Sequence, residues 1–506
     1  MRGLCIALLV IMAISLSAAE YQNGQLYLEI NLAAEKQIQL TPLIPNTEIQ
    51  ISEQDGLFSR AFKGIVTISL ANQEALSYFG ILDHKEVSSA IISDSLVVTR
   101  EFYAWENSQL TIKHELLYFL NNSFRSREAA EQFASLNRIP VSKIMEIPLV
   151  NSTVKLQNEQ GDVMYLETPL KINCASSIKV NGGSLSFDGS FVLKTVNHKL
   201  VLNHFLPLEQ YVEGVIPNEI GNNSPLEALK AQAVAARTHA LSLLVNNRHK
   251  ADGYDLCSAT HCQVYKGKYL VNETVLKAVR DCQNEALFVG DSFADATYHS
   301  SCGGKTDSSS AIWKGKPLAH LNGVTCIPEA DSFDLSTEAG VRRWMNYEYD
   351  TTEMNSWEKS TLSWEKSITC TKLAANLGMS YISNIKILSR GRSGRITSML
   401  LEGNKDVRLD NEFKIRTAFG GLPSSLFYIK GNFQVSSGVI AIYPKGNIQM
   451  KGSGSGHGVG MCQVGALRMA RQGKTYTEIL QLYYPGTVID SKWMAAKPKG
   501  IFIDAE

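Results

Sequence analysis

Residues 206–241 read LPLEQYVEGVIPNEIGNNSPLEALKAQAVAARTHAL, and two features of this stretch govern the reading of the chain around it. Ser224, Pro225 and Glu227 have the order of a capping box with proline at the first helical position, so a helix is predicted to start there and run to about Val245. Ala231, Ala233, Ala235, Ala236 and Ala240 give it small sides that other backbone can approach closely, and Arg237 lies in its middle. Just upstream, Glu219 is predicted on a short loop, 217–221, that leads into the helix and presents its side chain from a rigid scaffold. By position alone, a solvated loop carboxylate is the plainer reading of Glu219.

Upstream of this stretch, strands are predicted at 178–180, 185–187, 191–195 and 199–205. Gly182 with Gly183, and Asp188 with Gly189, read as hairpin turns, and the capped helix is expected to pack on this sheet. Downstream, 294–300 reads as a strand, 341–345 and 373–377 as helices, and 385–401 as a hairpin around Arg392, Ser393 and Gly394. The pentapeptide SWEKS at 356 and again at 363 reads as a chance recurrence within a helix, not a repeat architecture. Residues 20–155 show apolar alternation at 26–32, 64–70 and 90–98 and a helical patch at 127–136, which predicts a separate small α+β domain.

At 506 residues the chain can hold two or more domains. Lys plus Arg equals Asp plus Glu at 49 each, so no basic field argues for nucleic acid or an anionic membrane surface. Met1 and Arg2, the apolar run 4–14 and the SLSAAE that follows have the form of a secretory signal peptide cut after Ala19. No later run is apolar for about 18 residues, so the expectation is an exported protein without a transmembrane segment in its mature chain. Of nine cysteines only Cys5 falls in the leader. The rest are too few for a disulfide scaffold in so long a chain, though Cys302 and Cys326 are expected to pair.

Three further segments carry chemistry. HKADGYDLCSATHCQVY, 249–265, holds His249, Cys257, His261 and Cys262, soft and borderline donors suited to a tetrahedral zinc site. A Cys257–Cys262 disulfide with bystander histidines fits the same residues. YHSSCGGKT, 298–306, and GSGSGHGVGMCQVGA, 452–466, combine glycines that permit close backbone approach with donors suited to sugar hydroxyls. Neither GGKT nor Gly473-Lys474-Thr475 is a phosphate loop, because the required first glycine falls on His299 or Arg468. A helix is predicted over 461–472, and Thr475 with Glu478 caps a last one.

Taken together, these segments resemble the SpoIID/LytB family, peptidoglycan lytic transglycosylases of the stage II sporulation protein D type. Its pattern reads PLE-x-Y-(V/L)-x-G-V, a glutamate, LKAQAVAARTYA, then (F/Y)-H-S-x-x-G-G-x-T and G-x-G-x-G-H-G-V-G-M-(S)-Q-x-G-A. Cys462 stands where serine is commoner. The resemblance covers about 165–490. It implies an α+β, strand-rich catalytic domain at 161–490 with the capped Ala-rich helix, preceded by the α+β domain at 20–160 and followed by a tail at 491–506.

The resemblance further implies Glu219 as the catalytic residue. It implies a closed and therefore structural zinc site at His249, Cys257, His261 and Cys262. Arg237, Ser300, Ser301, Gly303, Gly304, His457, Gly458 and Gln463 are the residues expected to contact glycan. Ordinary glycosidases use two carboxylates, whereas a lytic transglycosylase can work with one. Glu219 would protonate the leaving oxygen and then accept the proton of the muramic acid 6-hydroxyl, which attacks the anomeric carbon and leaves a 1,6-anhydro end. Such a cycle requires a carboxyl that is neutral at rest, which partial burial favours. The rival reading is a non-catalytic glycan-binding regulator with a cell-wall amidase as its partner.

Overall fold

The computed structural model describes residues 20–493 apart from 23, 54–58, 72–76, 84–95, 107–108, 120–126, 137–143, 149–151, 432, 437–438, 445 and 492. The expected leader lies outside the described residues. Strands and helices are interleaved in mixed sheets throughout, an α+β fold. The chain divides into two compact units, Met1–Tyr211 with Asn246–Tyr269, and Val212–Val245 with Leu270–Pro498.

The first unit is organised by one large sheet. Its order runs Glu20–Gln22, Gln25–Glu35, Lys199–Pro207, Ser186–Val196, Leu170–Val180, Gln37–Pro42, Val66–Leu70, Thr153–Asn158 and Val163–Glu167. Strands from both sides of the boundary expected near 160 therefore share a sheet, with Leu28 opposite Leu206 and Leu40 opposite Val180. The physical reason is alternation. Leu26, Leu28, Ile30, Ile38, Leu40, Leu170, Ile172, Leu200 and Leu202 are all buried, each worth about 1.5–3 kcal/mol relative to exposure. That apolar face closes only when the early and late strands pair.

The turns are not all where Gly-containing dipeptides suggested. Asn181 and Gly182 do turn the chain, both with positive φ, but Asp188 and Gly189 lie inside the strand Ser186–Val196. Gly189, at φ +94°, faces a register shift between Cys174 and Ile178 on the neighbouring strand, the mark of a bulge. The hairpin is closed instead by Asn197 and His198, both left-handed, between the paired Val196 and Lys199. That is the two-residue geometry which matches strand twist.

In the second unit the predicted helix is found as Leu226–Val245, buried from Ala228 to Leu244 on nearly every side. It packs against the helices Glu273–Asp281, Gln463–Arg471 and Tyr476–Tyr483 and against the strand Ala286–Val289. Its alanines permit that crowding. The 178–205 strands expected to carry it belong to the other unit. A second core forms between Trp364–Thr369, Asn447–Gly452 and the hairpin of Ile382–Arg390 with Ile396–Gly403. The two SWEKS copies separate here: the first is helical within Ser356–Leu362, while the second enters the strand Trp364–Thr369. Packing context outweighs local propensity for a five-residue segment.

Candidate functional site

Glu219 is the last residue of a helix, Leu208–Glu219, and does not lie on a loop. Tyr211, Val212, Val215, Ile216 and Ile220 are buried along one side. The gain from that stripe carries the helix through Pro217, whose missing N–H affects only the final turn. Glu209 and Glu213 belong to the same helix. Gly221, left-handed at φ +89°, ends it.

The predicted box is not closed. The Ser224 hydroxyl donates to the Ile220 carbonyl at 2.7 Å, while the Glu227 carboxylate accepts from Lys230 at 2.9 Å and from the Tyr476 backbone at 2.8 Å. Asn222 and Asn272 brace the turn further by donating to the carbonyls of Leu270 and Asn222. The result is a half-buried carboxyl held at the C-terminal end of a helix.

The four proposed metal ligands converge in the first unit. The ligand atoms of His249, Cys257, His261 and Cys262 all lie within 4.8 Å of one another. Cys262 Sγ is 3.3 Å from His249 Nε2, and His261 Nδ1 is 3.8 Å from each sulfur. A tetrahedral zinc with ordinary bond lengths needs ligand separations of about 3.3–3.8 Å, so this donor set fits. Asp252 holds His249 Nδ1 at 2.8 Å and so directs Nε2 inward. The Arg248 guanidinium donates to His261 Nε2 at 2.7 Å. A metal-bound His261 would carry its proton there, so this exposed arginine must swing aside on binding.

The loop is fastened to the sheet through Leu256–Cys257, which pairs with Ile30 and Asn31, and through Asp255, which accepts the Glu29 backbone N–H at 2.8 Å. All eight cysteines from Cys174 to Cys462 are free thiols, so neither the Cys257–Cys262 nor the expected Cys302–Cys326 disulfide is formed.

The two glycine-rich segments do meet. Tyr298–His299 and Met461–Cys462 form a parallel pair, Ser301 bridges Ser455, and Asp307 bridges Val459. What the glycines approach, however, is protein. A Cβ on Gly458 would lie 2.2 Å from the Arg395 guanidinium carbon, one on Gly303 would lie 2.7 Å from Leu426, and one on Gly304 would lie 2.8 Å from the Trp344 indole.

Several residues expected to contact sugar are likewise committed inside the fold. Gln463 is buried and donates to Gln232 at 3.2 Å, Ser301 is buried, and Arg237 is fully buried with Nη1 on the Glu285 carbonyl at 2.9 Å. His457 has both nitrogens engaged, Nε2 with the Tyr298 carbonyl at 2.9 Å and Nδ1 with the Val459 N–H at 3.2 Å. Burial and the nearby Arg395 push its pKa down to about 3, so the ring is neutral at ordinary pH and ties the two segments together. These assignments are corrected accordingly. Their chemistry suits a sugar, but Gln463, Arg237 and His457 spend theirs on protein groups, while the buried Ser301 hydroxyl has no partner among the described residues.

The accessible groups around these segments are Ser300, expected from the sequence, and others that were not. Ser300 is half-buried. Trp313, 41 % exposed, stands with its ring 5.1 Å from that of His457. His239, from the Ala-rich helix, meets the Tyr298 ring edge-on at 6.3 Å and lies 3.9 Å from Asp295. His239 occupies the place of the tyrosine in the family's ARTYA, a departure visible in the sequence and passed over. Asp295 had no local signal.

Comparison with known proteins supports the resemblance. Residues 196–288, which carry Glu219 and the four candidate ligands, match the family model described as stage II sporulation protein. Residues 307–460 match a domain of unknown function, DUF8618. An uncharacterized protein of Brachyspira hyodysenteriae is 34 % identical over 67 % of this chain and 83 % of its own length. The amidase enhancer of Bacillus subtilis is 29 % identical over 67 % of this chain, which spans about half (52 %) of that protein. Stage II sporulation protein D of Bacillus subtilis is 28 % identical over 58 % of this chain and 78 % of its length.

Proposed function

The chain belongs to the SpoIID/LytB family, and from that premise we propose that it acts in the cell wall as a peptidoglycan lytic transglycosylase, cutting the MurNAc–GlcNAc bond with Glu219 as its single acid and base. The observation that carries the reading is the setting of Glu219, half-buried at the carbonyl end of its helix. In the proposed cycle Glu219 starts protonated and donates that proton to the departing glycosidic oxygen. The carboxylate so formed then takes the proton of the muramic acid 6-hydroxyl as that oxygen bonds to the anomeric carbon, and the cycle closes with Glu219 protonated again.

A zinc held by His249, Cys257, His261 and Cys262 would be structural, since four protein ligands leave no position for an activated water. Zinc removal should therefore act on stability first. Purified protein is expected to hold zinc at this site, and Cys257→Ser should lower the melting temperature by several degrees. Metal-free protein with unchanged melting behaviour would contradict the assignment.

Sugar contact is assigned to Ser300 and to Trp313, an exposed ring of the kind that stacks on a pyranose face. Trp313→Ala is expected to weaken binding to purified glycan strands by about 5-fold while leaving the melting temperature in place. Equal binding by the variant would remove the ring from the site.

Two more features are consistent with a wall role. No helix among the described residues is long and apolar enough to cross a membrane, and the expected leader would export the chain. The amidase enhancer among the relatives favours one alternative, a glycan-binding protein that modifies a cell-wall amidase without cutting glycan itself. Digestion of purified peptidoglycan separates the two. New anhydromuramyl ends support the transglycosylase. Binding without new ends, together with faster release of stem peptides by an added amidase, supports the alternative.

A further inference from the structure

A second cluster of soft donors lies in the other unit, away in sequence from the ligands already described. Strand register sets His299 opposite Cys462, and Cys302 follows three residues later. The ligand atoms of His299, Cys302 and Cys462 all lie within 4.8 Å of one another, and all three residues are buried. Beside the sulfurs lies a void of about 10 Å³ that Cys302, Cys326, Cys462 and Arg468 line and His299 does not, of the order that admits one water or one ion. The Cys326 thiol stands outside the trio but lines the same void as Cys302 and Cys462, with its sulfur 3.0 Å from the Tyr483 hydroxyl.

Two details point to a cation and not to idle thiols. His299 Nδ1 is 3.1 Å from the Val459 carbonyl and so carries the proton, which leaves Nε2 as a bare lone pair. That nitrogen is buried and has no hydrogen-bond partner among the described residues, an expensive arrangement unless something binds there. The sulfurs, in turn, accept backbone N–H groups. Cys462 Sγ takes those of Cys302 at 3.2 Å and Gly465 at 3.4 Å, and Cys302 Sγ takes that of Gly304 at 3.4 Å. Backbone donors aimed at sulfur stabilise thiolate charge, as they do around metal-bound cysteines.

We propose that His299, Cys302 and Cys462, with Cys326 as fourth donor, form a second, buried binding site for a zinc-class divalent ion. Two or three thiols lose their protons to solvent as metal–sulfur bonds form, with no change of oxidation state. Such an ion ties the 298–306 segment, the loop bearing Cys326 and the N-terminus of Gln463–Arg471 into one body. The proposal does not depend on the glycan reading.

The test is metal analysis of the natively purified full chain. About two zinc ions per chain are expected, falling to about one in Cys462→Ser, whose hydroxyl preserves the cap on the Gly465 N–H, and to about one in the Cys257→Ser, Cys262→Ser double variant. Cobalt loaded into that double variant, where the second cluster is intact, should show thiolate-to-cobalt absorption; this arm holds even if Cys462→Ser folds poorly. Wild-type protein with one zinc that the double variant loses would overturn the proposal. So would a disulfide joining any two of Cys302, Cys326 and Cys462 in protein lacking a second ion.

Discussion

Glu219→Gln is expected to reduce glycan cleavage by about 10³-fold or more while leaving the melting temperature and glycan affinity close to those of the unaltered protein. The amide keeps the shape of the side chain at the end of Leu208–Glu219 but can neither deliver a proton to the leaving oxygen nor take one from the 6-hydroxyl, and a positioned acid–base group is ordinarily worth about 10²–10⁴ in rate. Because one group serves both half-steps here, the upper part of that range is the expectation. Cleavage by the variant at a comparable rate would remove Glu219 from the mechanism.

Gly458→Val should act on stability, on the order of 4 kcal/mol, and destroy the fold of the second unit at ordinary temperature. Gly458 holds φ +81°, a region that β-branched residues rarely enter, and an added Cβ would lie 2.2 Å from the Arg395 guanidinium carbon. Arg395 cannot yield easily. It is fully buried and donates to the carbonyls of Cys302 at 2.9 Å and Ser301 at 3.3 Å, so moving it breaks the support of the neighbouring segment. Thermal denaturation reads the effect. A variant that melts like the parent and has lost only glycan binding would instead make this loop a sugar-contacting one.

These expectations mark where sequence and structure part. The helix from Leu226 was legible because Pro225 and its run of alanines both favour one continuous helix, although the capping box read at Ser224 does not close and the strands expected to carry it belong to the other unit. The convergence of His249, Cys257, His261 and Cys262 was legible because they lie within one short segment. Glu219 was placed on a loop because Pro217 reads as a breaker, and the buried stripe from Tyr211 to Ile220 outweighed it. Gly303, Gly304 and Gly458 were read as points where backbone approaches glycan; the groups packed against them, Leu426, Trp344 and Arg395, are protein and distant in sequence. The same distance hid the meeting of His299 and Cys302 with Cys462, which the pairing of Tyr298–His299 with Met461–Cys462 brings about.

The central claim, that one carboxyl drives an intramolecular attack, is tested most directly by digesting purified peptidoglycan with the full chain in water enriched in heavy oxygen and weighing the released fragments. The account predicts fragments ending in 1,6-anhydromuramic acid with no heavy oxygen incorporated, since the attacking oxygen belongs to the sugar itself. Reducing ends that carry the solvent label, or the absence of any new glycan ends from active, folded protein, would contradict it.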